Sequence, residues 1–154
     1  MEPQGKLTFF CPACREKLSF LDGTIIKLRG RLRAATFECE TVFHFAAQLG
    51  THGCIVGDGV QVHEGARIEF ECPSGCCRKN FTAPYNDALA EIAMEDEHGV
   101  PFRVAFSKVF GKDATFVLDV QRKELVQTFG GSADEILHDP NDKMHSFFGD
   151  LEKR

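Results

Sequence analysis

A phrase built on paired cysteines occurs twice in this chain, and it constrains the fold more than any other feature. The first copy reads Leu7-Thr8-Phe9-Phe10-Cys11-Pro12-Ala13-Cys14-Arg15-Glu16-Lys17-Leu18-Ser19-Phe20. The second reads Ile68-Glu69-Phe70-Glu71-Cys72-Pro73-Ser74-Gly75-Cys76-Cys77-Arg78-Lys79-Asn80-Phe81-Thr82. Each runs from a short apolar strand through Cys-Pro to Cys-Arg, then to a hydrophobic residue followed by a hydroxyl residue. A tight Cys-Pro turn brings two sulfurs to one point, and its backbone N–H groups stabilise thiolate charge. Two such turns offer four soft thiolates, the donor set of a closed tetrahedral zinc site.

The two phrases resemble the paired knuckles of zinc-ribbon proteins, each carried on a β-hairpin. The resemblance covers roughly the first half of the chain. It implies Zn2+ bound by Cys11, Cys14, Cys72 and Cys77, and a role in contacting another macromolecule. Two features depart from the pattern. The stretch between Cys14 and Cys72 holds 57 residues (15 to 71) that read as ordered, so they form a β insertion between the knuckles. The second knuckle has two candidates for its last ligand. Aligning Cys14-Arg15 with Cys77-Arg78 selects Cys77, and Cys76 is the fallback. Iron in a rubredoxin-like site uses the same thiolates and is the alternative metal.

A competing resemblance is to thioredoxin-like oxidoreductases, whose active-site entry is similar to Phe9-Phe10-Cys11-Pro12-Ala13-Cys14, with Val100-Pro101 in the place of their proline turn. Such chemistry needs a thiol acidified at a helix N-terminus. Here the motif begins eleven residues into the sequence, which leaves no room for a preceding βα unit. The residues after it alternate as strands do, and the second cysteine phrase has no part in that scheme.

The remaining composition fits one domain of 154 residues with an apolar core. Fifteen Phe against one Tyr and no Trp provide bulk without hydrogen-bonding obligations. The net charge of −5 argues against a general nucleic-acid footprint. No run of 18 apolar residues is present to span a membrane, and the N-terminus lacks the pattern of a signal peptide. Seven cysteines in such a chain predict a reducing, cytoplasmic setting where paired thiols bind metals.

Alternation of period two dominates the rest. Residues 7–10 lead as a strand into the first knuckle, and Asp22-Gly23 marks a hairpin turn. Over 24–34, Ile26, Leu28 and Leu32 share one face, with Lys27, Arg29, Arg31 and Arg33 opposite. Over 36–45, Phe37, Cys39, Thr41, Phe43 and Phe45 oppose Glu38, Glu40, Val42 and His44. Turns dominate 50–65, with a short strand expected at Val60 and Val62. Residues 89–94 with 102–110, and 114–120 with 124–129, read as hairpins, although 89–94 also contains good helix formers. Ser132 and Glu135 fit a capping box. Met144, Phe147, Phe148 and Leu151 fall on one face of a short helix behind Asp139-Pro140.

The expected fold is therefore mainly β: antiparallel sheets with a zinc-ribbon-like four-cysteine site and a short C-terminal helix. Three stretches are expected: a zinc-ribbon-like unit with its insertion over 1–87, β-hairpins packed on it over 88–131, and a helical tail over 132–154. Of the other candidates, Cys39 reads as a buried strand residue, and Cys54, near His52 and His63, lacks compact ligand spacing. The stripe Lys27, Arg29, Arg31 and Arg33 offers a surface for an acidic protein, or less favourably for nucleic acid. Glu38 and Glu40 on the next strand are positioned to neutralise it. No catalytic constellation stands out. The expectation is a non-catalytic interaction or scaffold protein with a protein partner and no membrane. The alternative is a thiol–disulfide oxidoreductase or iron electron carrier using Cys11 and Cys14.

Overall fold

The structure is a computed structural model that describes residues 2–20, 23–33, 38–51, 54–57, 60–75 and 77–137. The described elements are β1 (Thr8–Phe10), β2 (Ser19–Phe20), β3 (Ile25–Arg33), β4 (Glu38–Ala46), β5 (Cys54–Val56), β6 (Ile68–Glu71), β7 (Thr82–Ala83), β8 (Asn86–Glu95), β9 (Pro101–Ser107), β10 (Thr115–Asp119), β11 (Glu124–Phe129) and α1 (Ala133–Leu137). One antiparallel sheet has the order β1-β8-β9-β10-β11, with β7 also on β8; the other has the order β2-β3-β4-β5, with β6 also on β3. The fold is thus mainly β, as the alternation predicts, including the stretch 89–94 that lies within β8.

Four short strands, β1, β2, β6 and β7, position the cysteines. β1 pairs with the end of β8 at Ala93–Glu95, while β7 pairs with its beginning at Asn86 and Ala90. In the other sheet, β2 takes Ile25–Ile26 of β3 and β6 takes Arg29–Leu32. The first knuckle joins β1 to β2 and the second joins β6 to β7, so each hairpin starts in one sheet and ends in the other. The pairing directions point the two hairpin tips at each other along the seam between the sheets. β1 and β7 therefore share a sheet with the hairpins that follow residue 87.

Inward-facing residues of both sheets build one core. Phe9, Phe70, Ile92, Leu28, Phe43 and Val117 are all buried within it. Alternation explains the burial: Ile26, Leu28 and Leu32 face inward while Lys27 is exposed. Gly30 occupies the missing inward position of that stripe. A Cβ there would collide with the Phe43 ring and crowd Ile68, so glycine lets Phe43 lie across the strand. A second, smaller cluster lies on the other face of the larger sheet, where Leu89, Ala105 and Phe116 pack with Ala133 of α1.

Three buried polar side chains have partners that shape the loops. Asp96 accepts hydrogen bonds from the N–H groups of His98 (2.9 Å), Val100 (3.0 Å) and Gln4 (3.2 Å), fixing the β8–β9 turn. Asp119 does the same for Gln121 and Arg122 at the β10–β11 turn. The Lys108 ammonium, 2% exposed, donates to Glu69 at 2.6 Å and Thr82 at 2.7 Å, tying β6 and β7 to the end of β9.

Two local expectations differ from the structure. Val60 and Val62 are not in a strand; the strand in that region is Cys54–Val56, read from sequence as turn. It forms because the edge of β4 offers Phe43–Phe45 for pairing, a non-local cause that alternation does not reveal. The capping-box segment does form a helix, α1, starting directly after Ser132. The expected helix bearing Met144, Phe147, Phe148 and Leu151 lies outside the described residues. Among those that are described, no helix is long and apolar enough to cross a membrane.

Candidate metal centre

The two knuckles share one backbone plan. In the first, the Cys11 N–H donates to the Glu16 carbonyl at 2.9 Å and the Leu18 N–H donates to the Phe9 carbonyl at 2.8 Å. In the second, the Cys72 N–H donates to the Lys79 carbonyl at 2.9 Å and the Phe81 N–H donates to the Phe70 carbonyl at 2.8 Å. Bridges between Phe10 and Lys17 and between Glu71 and Asn80 complete the match. Cys11 therefore corresponds to Cys72, and Glu16 to Lys79. Two extra residues in the second tip leave Cys77 in the place of Cys14.

The residue after each second cysteine carries the turn. Arg15 and Arg78 both adopt left-handed backbone, with φ of 64° and 49°. That conformation reverses the chain and is disfavoured for a residue with a Cβ. Each side chain is then used. Arg15 lies 4.9 Å from the Phe10 ring centroid and pairs with Glu95 at 3.0 Å. Arg78 pairs with Glu40 at 2.7 Å and with the buried Glu71 at 3.5 Å.

The four sulfurs converge where the tips meet. The Sγ atoms of Cys11 and Cys77 are 3.8 Å apart, and those of Cys14 and Cys72 are 3.7 Å apart. All four lie within 4.8 Å of one another. A tetrahedron with sulfurs about 2.3 Å from its centre has edges of about 3.8 Å. A disulfide needs sulfurs at about 2.05 Å, so these contacts are not disulfides. Both close contacts cross from one hairpin to the other. The donor set and spacing therefore fit one tetrahedral metal ion bound jointly by the knuckles.

Electrostatics set Cys14 apart from Cys11 and Cys72. Cys11 and Cys72 are fully buried, and desolvation pushes both thiols up, against N–H groups of the turns that act to lower them. Cys14 is exposed, and the Glu16 N–H aimed at its sulfur holds it below the usual thiol range. A divalent cation favours all four as thiolates, because its charge compensates what burial penalises.

Among the described residues, these cysteines are the one group of three or more metal-ligating side chains close enough to hold an ion. Cys76 and His52 lie outside the described residues. His63 is exposed, and Cys39 and Cys54 are half-buried against the core. Of the basic stripe, Arg29 pairs with Glu40 at 3.2 Å, and Arg31 with Glu71 at 3.5 Å and Glu40 at 3.9 Å. Arg29 also donates to the carbonyl of Pro73 in the second knuckle, at 3.3 Å. Lys27 is exposed. Sequence reasoning placed Glu40 against the stripe but missed Glu71 and Arg78, because cross-strand register through β6 is invisible to spacing. It also missed Lys108 and Glu69, whose contact spans 39 residues.

Comparison of the chain with protein families, with curated proteins and with solved structures finds no match.

Proposed function

We propose that the four thiolates bind one Zn2+ as a structural ion, and that the protein is a non-catalytic, cytoplasmic interaction or scaffold module contacting another macromolecule. The observation that carries this reading is the convergence of Cys11, Cys14, Cys72 and Cys77 from two facing hairpins, at sulfur–sulfur distances of 3.7 and 3.8 Å. Four thiolates fill a tetrahedral shell and leave no open position for water or substrate, which is the arrangement of a structural rather than a catalytic zinc. The ion would tie the two sheets together at their seam and leave their outer faces for contacts. The basic stripe supports a protein partner better than nucleic acid. Arg29 and Arg31 are already matched with glutamates, and the chain as a whole carries a charge of −5.

One observation favours the alternative of thiol–disulfide chemistry: Cys14 is exposed and its thiol is acidified by the Glu16 N–H. An attacking thiolate needs both properties. An iron electron carrier would use the same four sulfurs. Elemental analysis and the visible spectrum of the purified protein separate the readings. One zinc per chain and no colour support the proposal. A red protein with iron supports the carrier, and a metal-free protein that oxidises at Cys11 and Cys14 supports the oxidoreductase.

A further inference from the structure

Between the two sheets, away from the four sulfurs, lies a cavity of about 410 Å3. Its walls include Ile26, Leu28, Phe45, Phe70, Val104 and Phe106. Three of these are mutually packed phenylalanines: Phe45–Phe70 at 5.6 Å, Phe70–Phe106 at 5.5 Å and Phe45–Phe106 at 5.9 Å between ring centroids. Protein interiors seldom keep voids larger than a water molecule, and this volume falls within the range of small-molecule pockets. Elsewhere the same sheets pack tightly, with Phe43 and Phe102 at 0% and 1% exposure. The space is therefore a local feature of one end of the sandwich rather than loose packing throughout.

Its chemistry selects the occupant. Lys108 borders the cavity, but its ammonium is held by Glu69 and Thr82, so it offers no cation to a ligand inside. Glu64, Lys112 and Asp113 at the border are exposed and of both signs, which favours no ion. The wall is more apolar than polar, and apolar molecules enter such spaces readily. Phenylalanine rings meeting one another at an angle leave edges and faces for another ring. Cys54 also lines the space, and burial pushes its thiol up.

We infer that this cavity is a binding site for an uncharged, apolar small molecule carrying an aromatic ring, entering between the loops 47–51 and 109–114. The site is separate from the cysteine centre, so it stands whichever metal that centre takes.

The neutral fluorophore N-phenyl-1-naphthylamine tests this on the full chain, with metal content measured in parallel. It is expected to bind saturably at one molecule per chain and to slow alkylation of Cys54 at least tenfold. Val104→Trp fills the cavity and is expected to weaken binding at least tenfold, with thermal unfolding and metal content unchanged. If that variant does not fold, the protection of Cys54 decides the question in the unsubstituted protein. Absence of saturable binding overturns the inference, as does binding that leaves Cys54 unprotected. Binding that appears only in the Phe147→Glu, Phe148→Glu double variant also overturns it, by identifying the chain's own C-terminal segment as the occupant.

Discussion

Arg15 and Arg78 show how a knuckle is assembled from unfavourable parts. A left-handed residue with a Cβ costs about 1 kcal/mol relative to glycine. Against this, Arg15 gains an exposed ion pair with Glu95 and a contact with the Phe10 ring, each worth about 0.5 kcal/mol. Arg15→Gly should therefore lie within about 1 kcal/mol of the parent in stability. Arg15→Val keeps the strain, adds a β-branch and loses both contacts, and should cost about 2 kcal/mol. Equal thermal unfolding temperatures for the two variants would contradict this assignment of strain. A second residue-level prediction concerns Glu91, which accepts a hydrogen bond from the Tyr85 hydroxyl at 2.6 Å. Burial pushes its carboxyl above the ordinary value of 4.5, and the Tyr85 bond and the Arg103 charge only partly offset that. A folded-state pKa above the unfolded one means that folding favours the protonated form. The stabilisation is fully present below pH 4.5 and is lost as pH rises through the folded-state value. Glu91→Gln keeps an acceptor for Tyr85 and removes this titration, so its stability relative to the parent should rise with pH above 4.5. A parallel pair of stability–pH curves would refute it. The four cysteines that the two phrases align lie close together in the structure. The left-handed conformation of the arginines was not legible, since positive φ is advertised in sequence chiefly by glycine.

At the scale of elements, alternation marked β3, β4 and the two later hairpins because each has one face on a core. The elements it missed are short or formed by distant pairing. β5 depends on the edge of β4, and β7 has two residues that rely on β8. Gly30 was legible only as a gap in the inward stripe Ile26, Leu28 and Leu32. The gap is where the Phe43 ring crosses β3 on its way to the edge-on contact with Phe70 at 5.4 Å. Gly30→Val supplies a better strand former, yet it should destabilise the protein by about 2–3 kcal/mol because the ring has nowhere to go. Urea unfolding measures this, and an unchanged or higher midpoint would show that strand propensity outweighs the packing. Pairing the substitution with Phe43→Leu should recover part of the loss, which a backbone effect at Gly30 would not allow.

At the scale of the molecule, the two sheets meet through four short strands, none longer than four residues. The hairpin tips of that seam end in four cysteines. Buried thiols raised by desolvation, with an acidified partner, are poorly matched neighbours without a cation. The architecture was only half legible in sequence for this reason. The repeat announces two knuckles, but nothing in their spacing says that each would step between sheets in opposite directions. The central claim is that one zinc ion closes the seam. Metal content per folded chain, measured for the parent and for a Cys11→Ser, Cys72→Ser double variant, tests it most directly. The account predicts one zinc in the parent, and a double variant without metal that no longer unfolds cooperatively. Stoichiometric zinc retained by the double variant, or a parent that folds fully without any metal, would contradict it.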